Sequence, residues 1–399
     1  MNAGLNKLQP YPFEKLRKLF NGINPPAELS PIDLSIGEPK HKTPDFILEE
    51  LKQHLPEVAN YPVTRGINEL RQAFVDWLIK RFRLPSASLN ADHHVLPVNG
   101  TREAIFALAQ CIINNQNNNP LVIMPNPFYQ IYEGAAFLAG AEPYYINCLE
   151  SSSFLPDFDS VPAEVWKRCQ LLYLCSPGNP TGAVFNQATY EKILILADQY
   201  EFVVAADECY SEIYFDEDNP PLGLLQAATN SGRDDFNRCI VFHSLSKRSN
   251  VPGLRSGFVA GDKKIIEAFL RYRTYHGCAM PPHTQAASIL AWQDDSHVKE
   301  NRALYREKFD NVLKILSPNL KVSYPDASFY LWPEVPVADT DFARDLYQTQ
   351  NITVLPGSYL SRAVNDINPG KNRLRIALVA PLDECIDAAE RLRNFLNLL

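Results

Sequence analysis

The sequence predicts an α/β fold, with a large domain built on a mainly parallel β-sheet covered by helices, joined to a smaller α+β domain. Three observations predict it. The chain has 399 residues, of which 46% are hydrophobic and 21% charged, so apolar material suffices for a large core. From about His94, short apolar runs alternate with amphipathic stretches, a pattern typical of strands buried on both faces. Beyond about residue 286, longer helical patterns replace that alternation.

The elements follow from these patterns. Helices are expected over residues 44–55 and 67–82, where apolar residues recur at helical spacing. In the large domain, strands are predicted at residues 94–98, 121–125, 171–176, 202–207, 239–244 and 256–261. Helices are predicted between them, at residues 101–113, 128–140 and 190–200. Residues 114–120 are rich in asparagine and predict a polar loop.

The carboxyl-terminal part predicts strands at residues 329–334, 353–357 and 373–379, followed by a final helix at 383–396. We therefore expect an N-terminal arm and two domains, of which the small domain is formed by two separate segments of the chain. Residues 1–15 form the N-terminal arm, residues 16–45 and 286–399 the small domain, and residues 46–285 the large domain.

Composition excludes several classes of function. The formal net charge of −8 gives no general reason to bind nucleic acid or an anionic membrane. No stretch approaches the roughly 18 apolar residues of a membrane span, and the N-terminus lacks a secretory apolar region. Eight dispersed cysteines predict a reduced, cytoplasmic protein. No metal site is expected, because C-x-x-C and H-E-x-x-H are missing and His93 and His94 would face opposite sides of a strand.

Lys247 is the first candidate, because in open α/β sheets ligands bind at the carboxyl ends of strands. It stands in S-L-S-K, just after a buried strand. Ser244 and Ser246 precede it, and Arg255 follows eight residues later. A solvated loop lysine is the simpler alternative. A Schiff-base lysine is the functional reading, since burial and a nearby cation would lower its pKa.

Asp207 ends the apolar strand at 202–207, and Tyr210 follows three residues later. A helix N-cap is the ordinary role of such an aspartate. The functional alternative is an acid that keeps a pyridine nitrogen protonated, with Tyr210 close to the same ring. Asn179, in the loop S-P-G-N-P-T-G, offers both a donor and an acceptor from a rigid turn.

Two further groups of residues are suited to anions. Gly100, Thr101 and Arg102 lie between a strand and a helix, where backbone amides and the helix dipole favour a phosphate. The sequence has neither a P-loop nor a G-x-G-x-x-G fingerprint. Arg375, on a predicted strand, is either a solvated edge residue or a two-pronged donor for a carboxylate.

Together these motifs resemble one family over essentially the whole chain. The matching strings are S-I-G-E-P at 35–39, N-Y-P-V-T-R-G-I-N-E-L-R at 60–71, S-P-G-N-P-T-G at 176–182, A-D-E-C-Y at 206–210 and S-L-S-K-R-S-N-V-P-G-L-R-S-G at 244–257. They resemble the class I/II pyridoxal-phosphate-dependent aminotransferases of fold type I. The resemblance implies a large domain with a seven-stranded sheet and pyridoxal 5′-phosphate as cofactor.

The resemblance also implies a role for each site residue. Lys247, Asp207 and Tyr210 would be catalytic, with Lys247 carrying the cofactor and moving protons, and Asp207 pairing with the pyridine nitrogen. Tyr210 and Asn179 would bond the ring oxygen, and Tyr129 would stack on the ring. The phosphate would be held by Gly100, Thr101, Arg102, Ser244, Ser246, Arg255 and, from a partner subunit, Tyr61. The substrate carboxylate would be bound by Arg375, Gly37 and Asn179.

Within the family, the strings at residues 7–16, 36–44 and 60–71 resemble bacterial N-succinyldiaminopimelate aminotransferases. The implied reaction exchanges the amino group of N-succinyl-LL-2,6-diaminopimelate with 2-oxoglutarate by ping-pong kinetics, in a homodimer with shared active sites. Alternatives in the same family are transaminases of aspartate, alanine or kynurenine type and a β-lyase. A cofactor-binding regulator is less expected, since only about 30 residues precede the fold and a DNA-binding module would need more. A scaffold without activity is the least expected.

Overall fold

A computed structural model describes residues 1–116 and 119–399, and its largest element is a seven-stranded β-sheet. Asn117 and Asn118, in the predicted polar loop, lie outside the described residues. The strands of the described chain are β1 Ile32–Asp33, β2 Val95–Val98, β3 Leu121–Asn126, β4 Glu142–Asn147, β5 Cys169–Cys175, β6 Val203–Asp207, β7 Cys239–Ser244, β8 Gly257–Gly261, β9 Tyr330–Leu331, β10 Ile352–Thr353, β11 Leu355–Pro356 and β12 Leu374–Ala377.

Helices surround the sheets. The α-helices are α1 Pro12–Leu19, α2 Asp45–Gln53, α3 Asn68–Phe82, α4 Thr101–Ile112, α5 Gln130–Ala139, α6 Ala163–Trp166, α7 Gln187–Tyr200, α8 Leu224–Asn230, α9 Leu245–Arg248, α10 Lys263–His276, α11 Pro282–Gln293, α12 Ser296–Leu316, α13 Asp339–Gln350 and α14 Leu382–Leu396. Short 3₁₀ helices span Ala3–Lys7, Leu55–Ala59, Glu150–Ser152, Phe158–Ser160, Pro252–Leu254 and Gly357–Leu360.

The large sheet has the strand order β2–β8–β7–β6–β5–β3–β4. All its neighbouring strands run parallel except β8, which is antiparallel to both β2 and β7. The predicted mainly parallel sheet is therefore confirmed, and each of the six predicted strands is present. The seventh, β4, was not predicted. It lies at the sheet edge with only Ile146 buried, so its sequence E-P-Y-Y-I-N lacks the continuous apolar run of the inner strands.

The sheet separates two apolar cores. In β6, Val204 and Ala206 belong to one core and Val203 and Ala205 to the other, as alternation along a strand requires. Helices α3 and α11 pack against the first core, and α4 and α5 against the second. Because both faces are covered, the polar residues that follow the strands converge at the carboxyl edge of the sheet.

A third core lies under the carboxyl-terminal elements. The antiparallel sheet β11–β12–β9 and the parallel pair β1–β10 pack with α12, α13 and α14 around it. This sheet carries Arg375 on β12, opposite Leu355 of β11. The strands predicted at residues 329–334 and 373–379 and the final helix are found where the sequence indicates them, whereas the strand predicted at 353–357 is divided into β10 and β11, which belong to different sheets.

The predicted division into domains stays a prediction. Its boundary between residues 285 and 286 falls within α11, whose Ala287, Ala291 and Trp292 belong to the same core as Phe74 of α3. The packing therefore favours a boundary after α11. The predicted arm at residues 1–15 contains a 3₁₀ helix that contacts α5, and α1 begins within it.

A buried ion-pair network fixes α12 to the rest of the fold. Arg302, with 4% of its side chain exposed, forms two hydrogen bonds to Glu217 at 2.9 and 2.6 Å and a third to Glu212 at 3.4 Å. Glu212 also accepts a hydrogen bond from Arg81 of α3. Helix α12 and helix α3 are therefore joined through one buried carboxylate.

We expect Arg302→Met to lower the free energy of unfolding by roughly 1–3 kcal/mol, because Glu217 and Glu212 lose the hydrogen bonds of a buried guanidinium while Arg81 still pairs with Glu212. The matched control is Arg306→Met, since Arg306 is 30% exposed and contacts only the Glu217 side of the network. That change should cost about 0–1 kcal/mol. Denaturant unfolding of the cofactor-free protein measures both values, and equal losses would contradict the assigned role of the network.

Candidate active site

A cavity of about 500 Å³ opens at the carboxyl ends of β5, β6 and β7. Small-molecule sites usually enclose roughly 300–1,000 Å³. The structure brings twelve of the predicted site residues to the wall of this cavity. They are Gly37, Thr101, Arg102, Tyr129, Asn179, Asp207, Tyr210, Ser244, Ser246, Lys247, Arg255 and Arg375.

Gly100 lies behind the wall, buried beneath Arg255. A Cβ added at Gly100 would overlap the Arg255 guanidinium, and the φ angle of +85° also favours glycine. Gly100 therefore allows Arg255 to lie against the start of α4. Its predicted contact with a phosphate stays a prediction.

Tyr61 is the predicted site residue that the structure does not bring to the cavity of its own chain. Its side chain is fully exposed, and it does not line the cavity. The predicted role of Tyr61 was in the site of a partner subunit, and that role stays a prediction.

Lys247 reaches the cavity from α9, a short helix that begins directly after β7. The Ser244 hydroxyl caps this helix by accepting a hydrogen bond from the Ser246 amide at 3.1 Å. The Lys247 ammonium donates to the carbonyl oxygen of Gly37. Burial lowers the pKa of Lys247 to about 8, and the charge of Arg375 acts in the same direction. The solvated-lysine alternative is therefore wrong, and the amine loses its proton readily.

Asp207 lies at the floor of the cavity with 6% of its surface exposed. It accepts hydrogen bonds from the Tyr132 hydroxyl at 2.9 Å and from the Cys209 amide at 3.3 Å. Burial raises the pKa of Asp207, and the hydrogen bonds from Cys209 and Tyr132 oppose that shift. Within residues 1–116 and 119–399 no cation forms an ion pair with it. A ligand cation placed here would offset the cost of burying the carboxylate.

Donors for an anion surround the start of α4. Thr101 is the first residue of this twelve-residue helix, so free backbone amides and the positive end of the helix dipole face the cavity. Ser244, Ser246 and Arg255 line the same wall. Arg255 donates to the Pro252 carbonyl at 2.9 Å and pairs with no carboxylate of the described chain. This donor set suits a phosphate group.

Arg375 is a buried cation with neutral partners. It is 5% exposed and donates to the Asn179 side-chain oxygen at 3.0 Å and to the Ser35 carbonyl at 2.6 Å. Its guanidinium carbon lies 4.8 Å from the centre of the Tyr330 ring. Among the described residues no carboxylate balances its charge, which suits it to a carboxylate supplied by a ligand. The alternative of a solvated edge residue is wrong.

Two tyrosines of the site were not predicted. Tyr132 bonds Asp207, and Tyr330 lies under Arg375 with its hydroxyl 3.0 Å from that of Tyr210. A Cβ added at Gly37 would overlap the Tyr330 hydroxyl, which explains a glycine at that position. The helical spacing of Tyr132 from Tyr129 was a usable signal. Nothing in the local sequence marked Tyr330, which is one aromatic residue of an apolar strand.

The residues present fit pyridoxal phosphate. An amine with a lowered pKa, a buried carboxylate without a cation, a set of anion donors and the aromatic face of Tyr129 share one cavity. No group of three or more His, Cys, Asp or Glu side chains in the described residues is placed to hold a metal ion. His93 and His94 lie in the turn before β2, not on the strand as predicted.

Among the described residues, a helix with both the length and the apolar character of a membrane span is not found. All eight cysteines are free thiols.

Comparison with known proteins identifies relatives over nearly the full chain. The family model for aminotransferase class I and II matches residues 30–392. A crystal structure of an aminotransferase from Neisseria meningitidis Z2491 has 49% sequence identity and a TM-score of 0.95, covering 99% of this chain and 100% of that chain.

Two more relatives have names that specify a substrate. The LL-diaminopimelate aminotransferase of Nitratidesulfovibrio vulgaris (Hildenborough) is 32% identical over 370 residues, which are 90% of this chain and 91% of that protein. The structure of a probable N-succinyldiaminopimelate aminotransferase from Thermus thermophilus has 26% identity and a TM-score of 0.83, covering 96% of this chain and 98% of that one.

The lowered pKa of Lys247 predicts how capture of the cofactor by the cofactor-free protein depends on pH. Only the unprotonated amine attacks the aldehyde, so the rate of capture should rise with pH through a midpoint of about 8. An ordinary lysine would give a midpoint near roughly 10.4. The rate is followed by visible absorbance after rapid mixing, with Lys247→Ala as the control that captures none covalently. A midpoint of about 10 would contradict the burial of this amine.

Proposed function

The chain belongs to the class I and II aminotransferases, which depend on pyridoxal phosphate, and we propose that it moves the amino group of N-succinyl-LL-2,6-diaminopimelate to 2-oxoglutarate. The product of the second substrate is glutamate. The proposal rests on one feature of the cavity, the guanidinium of Arg102, together with the names of the relatives.

Arg102 presents a positive charge that no carboxylate of the described residues neutralises. Its Nε donates to the Tyr129 hydroxyl at 2.7 Å, and its Nη2 lies 3.4 Å from the Tyr11 hydroxyl. Both tyrosine rings have their centres 6.0 Å from the guanidinium carbon. These neutral partners orient the guanidinium. The backbone amide of Arg102, in the first turn of α4, is available for the predicted phosphate contact. The side chain of Arg102 can therefore bind the substrate.

The proposed substrates share a second acidic group. 2-Oxoglutarate has a distal carboxylate, and N-succinyl-LL-2,6-diaminopimelate has two acidic groups beyond its reacting carbon. Succinylation replaces a distal ammonium by a neutral amide, which removes repulsion from Arg102. With Arg375 on the first carboxylate and Arg102 on a distal one, both substrates of the exchange find the same two cations.

The remaining residues take distinct parts in the reaction. Pyridoxal phosphate, when bound, withdraws electrons from the α-carbon of the amino donor and makes its C–H bond acidic. Asp207, already bonded by Tyr132, keeps a positive charge on the pyridine nitrogen. Lys247 accepts the proton as an amine and returns it as an ammonium, which its pKa of about 8 permits near neutral pH. Arg375 and Asn179 hold the carboxylate.

LL-2,6-diaminopimelate itself is the second candidate donor. The name of the relative from Nitratidesulfovibrio vulgaris supports it. Its distal ammonium requires an acid, and Glu38 is the acid on the cavity wall besides Asp207 in the described residues. Glu38 pairs with Lys40 at 2.5 Å, however, so it would have to exchange this partner for the substrate. The existing pair therefore favours the succinylated donor.

A panel of amino donors tests the proposal. With purified enzyme and 2-oxoglutarate, glutamate formation should be at least tenfold faster, as kcat/KM, with N-succinyl-LL-2,6-diaminopimelate than with LL-2,6-diaminopimelate, aspartate or alanine. Comparable or better values for LL-2,6-diaminopimelate would replace the proposed donor by the second candidate. A preference for aspartate or alanine would reject both.

Two variants, measured with the same panel of donors, distinguish the two candidate donors by the residue that each would contact. Arg102→Gln should lower kcat/KM for the succinylated donor by about 10- to 100-fold, the range expected for a lost charge-assisted hydrogen bond. Glu38→Gln is the matched control and should change it by less than threefold. If the distal group is an ammonium, Glu38→Gln has the larger effect.

We also propose that the enzyme is a homodimer in which Tyr61 completes the site of the partner. Leu55, Val58 and Val63, around the fully exposed Tyr61, each expose more than half of their surface. An apolar surface of this kind is typical of an interface. The cavity of one chain lacks Tyr61, so a second copy that brings its Tyr61 would add one hydroxyl near the predicted phosphate site.

Hybrid dimers test this sharing. Lys247→Ala and Tyr61→Ala proteins are each expected to have low activity, the first without its amine and the second with weak cofactor binding. After mixing and subunit exchange, one site in each hybrid combines a normal Lys247 with a normal Tyr61 from the other subunit. Activity should therefore rise toward a quarter of the wild-type value. If Tyr61 served its own chain, mixing would restore nothing.

A further inference from the structure

The side chain of Asn301 lies against the backbone of Lys247. Asn301 belongs to α12 and is 3% exposed. Its Nδ2 donates to the main-chain carbonyl of Lys247 at 3.3 Å, and its Oδ1 lies 2.6 Å from Nδ1 of His41 and 3.1 Å from Nδ2 of Asn250. One buried amide thus connects α12 with the chain from Lys247 to Asn250 and with the segment that carries His41.

The chemistry of its partners fixes the orientation of this amide. The Lys247 carbonyl can only accept, so the atom facing it must be the Nδ2 of Asn301. The Oδ1 therefore accepts from Asn250 and from His41, which must carry its proton on Nδ1. Burial lowers the pKa of His41 to about 4, and the charge of Lys308 adds to this shift. His41 is therefore a neutral ring whose single N–H is directed at Asn301.

The carbonyl of Lys247 depends on this donor. Helix α9 has only four residues, and a helix end leaves its last carbonyls without intrahelical partners. The Ser249 amide bonds the carbonyl of Leu245 and does not reach that of Lys247. Asn301 supplies the missing donor from another helix, which anchors the backbone of Lys247 to α12.

The segment from Gly37 to Thr43 holds both ends of Lys247. At the amine end, the Gly37 carbonyl accepts from Nζ. At the backbone end, His41 of the same segment orients the amide of Asn301. Thr43 adds a hydrogen bond from its hydroxyl to the Asn250 carbonyl at 2.9 Å. When the amine leaves Gly37 to act, the backbone contact is the one that remains.

We infer that Asn301 is a positioning residue for the reaction, and that it holds the main chain of Lys247 so that the amine reaches the aldehyde of the cofactor and the α-carbon of the amino donor. His41 acts one step further away by orienting Asn301. The inference rests on the proposed role of Lys247 and not on the identity of the amino donor. A displacement of about 1 Å at a reacting group can cost as much as roughly 100-fold in rate.

The experiment compares Asn301→Ala, His41→Ala and the control Asn311→Ala. Asn311 is a half-buried asparagine on the same helix, whose side chain forms a solvent-exposed hydrogen bond to the Glu307 carbonyl and contacts no site residue of the described chain. The first measurement is the rate at which cofactor-free protein captures pyridoxal phosphate covalently. The second is kcat, KM and the isotope effect of an α-deuterated donor, using whichever amino acid the enzyme turns over. The third is the midpoint of thermal unfolding of the cofactor-free protein.

For Asn301→Ala we expect capture and kcat to fall about tenfold, with KM within twofold and a larger isotope effect because proton transfer has become slower. His41→Ala keeps the donor to Lys247 and should lose about threefold. Asn311→Ala should match the wild type. If Asn301→Ala does not fold, His41→Ala decides by the same measurements.

Unchanged capture and isotope effect in a folded variant would overturn the inference. The inference would also be overturned if the losses in capture rate and kcat were proportional to the fall in the midpoint of thermal unfolding, since that result would show a structural role alone. Lys247→Ala is measured in parallel. Should that variant still capture the cofactor covalently, the proposed role of Lys247 fails, which is a different result from a failure of Asn301.

Discussion

Burial of uncompensated charge at the carboxyl edge of the large sheet is the constraint on which the site depends. Lys247, Asp207 and Arg375 surround one cavity, with the exposed Arg255 at its wall, and no two of these groups form an ion pair with one another. The same burial lowers the pKa of the lysine and raises that of the aspartate, so each of these two charges carries a desolvation cost. The phosphate and pyridinium of the cofactor and the carboxylate of a substrate would supply the opposite charges when bound. The charges around the cavity are thus complementary to those of the ligands and are not neutralised within the protein.

The contrast with the other buried arginines supports this reading. Arg273 pairs with Glu103, Arg248 with Asp295 and Arg302 with Glu217, so their charges are balanced within the protein. Arg375 is as deeply buried but bonds only neutral oxygens. Removing a partner from a buried pair costs about 3–5 kcal/mol, so a buried arginine without one indicates that the partner arrives with the ligand.

Much of the fold and of the site could be predicted because both depend on local sequence. Continuous apolar runs marked the inner strands, and the residues that follow them had to meet at one edge of a parallel sheet. Lys247 and Asp207 were found in this way. Strand β4 was missed because an edge strand needs only one buried face. Tyr132, Tyr330 and Asn301 were missed because their roles arise from contacts between distant segments, which no local pattern records.

The proposed role of Arg102 would explain how one site serves two substrates in turn. In a ping-pong exchange the donor leaves before the acceptor binds, so the same side chains must accept both. A cation held by Tyr11 and Tyr129 suits a substrate with a distal carboxylate, because the two tyrosines are neutral and leave the positive charge of Arg102 available. A substrate with a distal ammonium would meet repulsion at the same point. Succinylation removes that ammonium and adds an acid, and so turns a zwitterionic end into one that resembles the end of 2-oxoglutarate.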